Sequence, residues 1–153
     1  MSTSIASAPP AWRAPASSQS SYVILPPVEG ESVWVTAAGE ALAKLRKLPP
    51  NWDGYGSGPV TEAALGTGMT IFKKLEGTGI PLPTVVPATG GGFALEFQVA
   101  RKRLELEVLP DGAIEYLTID KIHGHIDGDM REGSIPANCA FRVVRLGNWL
   151  VEL

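Results

Sequence analysis

The chain has few residues suited to covalent or metal chemistry: one cysteine, Cys139, and two histidines, His123 and His125, in 153 residues. A lone cysteine excludes an internal disulfide and a cysteine-rich zinc site. Long apolar runs are missing too, since no stretch approaches the roughly 20 consecutive apolar residues of a membrane-crossing helix. The opening MSTSIASAPPAWRAPASSQSS lacks the basic start and continuous apolar core of a secretory signal. These absences predict a soluble, cytoplasmic protein with no membrane contact. Nor is there a basic excess, because 13 Lys and Arg stand against 16 Asp and Glu, a net charge of −3. Neutralising a phosphate backbone needs surplus cations, so nucleic-acid binding is disfavoured.

Glycine and proline, in contrast, are plentiful at 17 and 13 residues, which predicts many turns. The length fits one compact domain. Residues 1 to about 30 are rich in Ser, Ala and Pro, and read as a disordered or extended arm. Trp12 is unusual in a spacer and is a candidate docking residue. From residue 31 onward the pattern predicts a folded α+β domain. Trp34, Ala38, Ala41, Leu42, Leu45 and Leu48 recur at helical spacing until Pro49 and Pro50. Thr61 can cap a second helix to about Glu76, buried along Ala64, Leu65, Gly68, Met69, Ile71, Phe72 and Leu75.

The proline-flanked TVV run suits an edge strand. Phe93, Leu95, Phe97 and Val99 alternate with polar or small residues, as do Leu104, Leu106 and Val108, and AIEYLTI follows the Pro110-Asp111-Gly112 turn. Three consecutive strands therefore form an antiparallel meander. CAFRVVRL and WLVEL, divided by Gly147-Asn148, suggest a C-terminal hairpin, and Ile122–Pro136 reads as a long loop. The expected fold is a two-layer α+β domain, with two amphipathic helices on an antiparallel sheet of about four to six strands.

Chemistry has few places to reside. In NWDGYG, Asn51 and Asp53 can accept bonds from nearby backbone amides, Trp52 can anchor the loop, and Tyr55 is free to meet a partner. Asp53 has no neighbouring histidine or lysine with which to move a proton. His123, His125, Asp127 and Asp129 alternate, so an extended segment would direct all four to one side; a metal-dependent hydrolase is the alternative they suggest. The Gly90–Gly92 run enters a strand rather than a helix, contrary to a phosphate-binding loop. Arg101, Lys102 and Arg103 could join other cations in a basic patch, which gives a nucleic-acid-binding regulator as a second alternative. Glu96, Glu105, Glu107 and Glu115 fall on the polar face of the strands. Cys139 and Trp149 sit in apolar surroundings, and Trp149 is a further candidate anchor.

The runs LPPNWDGYGSGPVTEAA, IPLPTVVPATGGGFALEF and RLELEVLPDGAIEYLTI resemble a recurrent group of small bacterial and phage proteins. In that group an NWDG loop precedes a helix, a proline-flanked segment, a glycine-rich turn and a hydrophobic strand. The resemblance spans roughly residues 41–119. It implies a compact α+β module associated with mobile elements and brings no enzymatic activity with it. Strands of the group often read LEW where this chain has Leu95-Glu96-Phe97. With no complete catalytic constellation in the sequence, the expectation is a non-enzymatic protein-interaction module without a cofactor. Its partner would be a host or cognate protein, which it would inhibit or regulate. Its candidate contacts are Trp12, Trp52, Asp53, Tyr55 and Trp149, and a homodimer through a sheet edge or the C-terminal hairpin is a separate possibility.

Overall fold

The structure, a computed structural model, describes residues 33–121 and 129–152. The N-terminal arm with Trp12, and His123, His125 and Asp127, lie outside the described residues. Two helices come first, α1 (Val33–Arg46) and α2 (Glu62–Leu75). Five strands follow: β1 (Thr84–Ala88), β2 (Gly92–Val99), β3 (Lys102–Val108), β4 (Ile114–Asp120) and β5 (Asp129–Ile135). They pair antiparallel in chain order β1-β2-β3-β4-β5. A 3₁₀ segment (Ala137–Arg142), kinked at Cys139, leads into α3 (Val143–Val151).

The register assigns each side chain to a face. Phe93, Val108, Ile114 and Ile135 lie opposite one another across four strands, and Leu95, Leu106, Tyr116 and Gly133 form the next row. This is the buried side. α2 packs against β3 and α3 against β2 and β3, whereas α1 reaches the core through α2. Trp34 closes the α1–α2 contact edge-on to Phe72, with ring centroids 5.3 Å apart. Gly68 lets α2 settle onto the sheet, because a Cβ there would stand 2.6 Å from Cζ of Phe93. Tyr116 lies across Gly133 of the neighbouring strand, so the ring covers a backbone that has no side chain of its own.

Two expectations are corrected. The C-terminal residues form α3 and not a hairpin: Val143, Leu146, Gly147 and Leu150 make one helical stripe, and Gly147 is a contact residue on which a Cβ would meet Leu75 Cδ2 at 2.6 Å. With the hairpin goes its proposed dimer contact. Asp129–Ile135, within the expected loop, is a fifth strand held by backbone pairing to β4. The candidate metal residue Asp129 therefore begins an edge strand, where its carboxylate lies 3.5 Å from Arg131.

Candidate functional site

The Asn51–Gly58 loop is fixed largely by its own polar groups. Asn51 adopts φ 60°, a left-handed conformation that asparagine tolerates, and Gly54 and Gly56 reverse the chain at φ 78° and 88°. The Asn51 amide donates to Ser57 O at 2.7 Å, and its side-chain Oδ1 accepts from Gly56 N at 2.6 Å. Asp53 Oδ1 accepts from the amides of Tyr55 at 2.9 Å and Ser57 at 3.3 Å, while the Ser57 hydroxyl donates to Oδ2 at 2.6 Å. The hydroxyl bond from Ser57, reinforced by those two amides, holds the Asp53 carboxyl below its usual value of 3.8 against an opposing effect of desolvation.

Ser57 ties this loop to the sheet. Its Oγ accepts from Gly90 N at 3.2 Å in the β1–β2 turn. Nearby, Thr61 N donates to Gly91 O at 3.0 Å, Thr61 Oγ1 donates to Pro110 O at 2.6 Å, and the same oxygen caps α2 by accepting from Ala64 N. The indole of Trp52 is half-buried and donates to Gly58 O at 3.0 Å. Tyr55 is left 88% exposed at the tip. The loop thus presents one large aromatic between amides that are already paired, those of Gly54, Tyr55, Gly56 and Ser57.

The sequence candidates do not converge. Trp52, Asp53 and Tyr55 share this loop, whereas Trp149 packs beside Lys102 at the other end of β3, roughly 20 Å along the strand. Ser57 is the loop-fixing residue that sequence reasoning missed, and its partner Gly90 is 33 positions away. The basic run is divided among protein partners. Arg101 pairs with Asp120 at 2.7 Å, Arg103 pairs with Glu105 and, at 3.8 Å, Glu96, and Lys102 donates to Trp149 O and Glu152 O.

No family model, curated protein or solved structure matches the chain. The site is therefore read from its own geometry. Among the described residues no group of three or more His, Cys, Asp or Glu is placed to hold a metal, and no helix is long and apolar enough to cross a membrane. A groove of about 540 Å³ between α2 and the 3₁₀ segment is lined by Glu62, Thr67, Thr70, Lys74, Asn138 and Phe141, among others. Thr67, however, already donates to Gly112 O at 2.7 Å, and Glu62 faces Arg46 at 3.0 Å.

Proposed function

We propose that this chain is a non-enzymatic protein-binding module that recognises a host or cognate protein through the Asn51–Gly58 loop, with Tyr55 as the anchor. The observation that carries the reading is the pairing of high exposure at Tyr55 with a backbone fixed by Asn51, Asp53 and Ser57. A tyrosine offers a large contact area with few rotatable bonds, and a loop ordered beforehand loses little entropy on binding. The mobile-element setting of the resembling proteins supports an inhibitor or regulator of a host complex.

A photo-crosslinking phenylalanine analogue at position 55 of the full chain tests this. A discrete protein adduct is expected that wild-type chain competes away and that the same probe at Lys73 does not form. Tyr55→Ala should weaken the captured partner's binding by about 2 kcal/mol, on the order of 30-fold. Equal affinity of Tyr55→Ala and wild type would overturn the reading.

A further inference from the structure

The helices occupy one side of the sheet, and the other side carries an unusual arrangement. Glu107 and Glu115 lie directly opposite each other on β3 and β4, as do Glu96 and Glu105 on β2 and β3. Arg103 answers the second pair, being paired with both of its carboxylates. Among the described residues no cation lies within ion-pair distance of Glu107, Glu115 or Glu132. Like charges in direct cross-strand register oppose folding, so the Glu107–Glu115 pair is not explained by stability.

Apolar side chains share this face. Leu117 stands in register between Glu105 and Glu132, Ile119 lies opposite Met130, and Met130 is 54% exposed. Glu105, Glu107, Glu115, Leu117, Met130 and Glu132 together line a shallow concavity of about 330 Å³. An apolar floor rimmed by four carboxylates, of which Arg103 compensates Glu105 and leaves Glu107, Glu115 and Glu132, suits one kind of occupant. A second copy of the face would bring glutamates against glutamates, and an anionic polymer or lipid surface would be repelled in the same way.

We propose that the outer face of β3–β5 docks a cationic, partly apolar segment of another protein. Its Lys or Arg side chains would meet Glu107, Glu115 and Glu132, and its apolar side chains would rest on Leu117 and Met130. This adds a second surface to the protein-binding reading and uses none of the loop residues. Failure here and failure of the Tyr55 crosslink are therefore separate results.

The test is titration of the full chain with three end-blocked heptapeptides, alternating Lys–Leu, Lys–Ser and Glu–Leu. The Lys–Leu peptide is expected to bind, the Lys–Ser peptide to bind more weakly and be lost as salt rises, and the Glu–Leu peptide not to bind. Glu107→Gln/Glu115→Gln should weaken Lys–Leu binding about ten-fold or more. Its melting temperature should equal or exceed that of wild type, because a repulsion is removed, so weakened binding in a stable protein is not unfolding. Glu40→Gln/Glu76→Gln removes the same charge elsewhere and should leave the affinity unchanged. Undiminished binding to Glu107→Gln/Glu115→Gln, an equal loss in Glu40→Gln/Glu76→Gln, or binding of the Glu–Leu peptide would each overturn the proposal.

Discussion

Asp53 shows how one carboxylate can hold a surface loop in shape. It accepts from the Ser57 hydroxyl and from two amides that flank Gly56, so its negative charge stabilises the turn that carries Tyr55. Because those bonds lower its folded-state pKa below 3.8, their contribution is fully present above the ordinary carboxylate range. It is lost as pH falls through the depressed value. The Trp52 indole proton, bonded to Gly58 O, reports the loop directly by NMR. Its resonance should stay constant from neutral pH down to the ordinary carboxylate range and move only below it. In Asp53→Asn that acid-side movement should disappear, and a transition centred near neutrality would assign the loop to another group. Residue chemistry made much of this site readable, since Asn and Asp beside glycine are natural acceptors for turn amides. Ser57 carried no such signal, because its Gly90 partner is brought near by tertiary folding alone.

Elements with a strong apolar period were legible, and those without one were not. α1, α2 and the β2–β4 meander follow periods near 3.6 and 2 in their buried residues. β5 buries only Ile135 and holds its place through its backbone, so Asp129–Ser134 resembles a loop by composition. In α3 the Gly147-Asn148 pair imitates a turn, although the residues around it repeat at helical spacing. The C-terminal end of α3 has no basic residue of its own in its last turn, and Lys102 of β3 supplies the charge. Its Nζ donates to Trp149 O at 2.8 Å and Glu152 O at 2.9 Å, and lies 5.0 Å from the Trp149 ring centroid. Trp149 is accordingly part of a helix terminus, not an extension of the loop site. Lys102→Met keeps the aliphatic stem but removes these bonds, and should cost about 1–2 kcal/mol in urea unfolding. Faster amide exchange should be confined at first to α3. A variant with unchanged stability and exchange would show that the helix end is held by packing alone.

Among the described residues, the buried core and the open charged surface lie on opposite sides of one sheet. The inner side holds the large, fully buried side chains Phe93, Phe97, Leu95, Leu104 and Leu106, covered by helices whose own core residues are buried to the same degree. The outer side is mixed in charge and polarity, and Val86 and Met130 are exposed there. Of the two sheet edges, β1 contains Pro87 and β5 carries Asp129, Arg131 and Glu132, features that discourage edge-to-edge pairing. The open surface is thus a face more than an edge, and the division has a measurable consequence. Phe93→Ala removes a ring seated against the Gly68 backbone and should cost about 3–5 kcal/mol, a large share of the ~5–15 kcal/mol that holds a typical domain together. Met130→Ser should change unfolding by no more than about 0.5 kcal/mol, because more than half of the residue is already exposed to water. Urea midpoints for both variants at constant slope make the comparison. If Met130→Ser approached the cost of Phe93→Ala, Met130 would belong to an interior of this chain, and the acidic face would have no room for a partner.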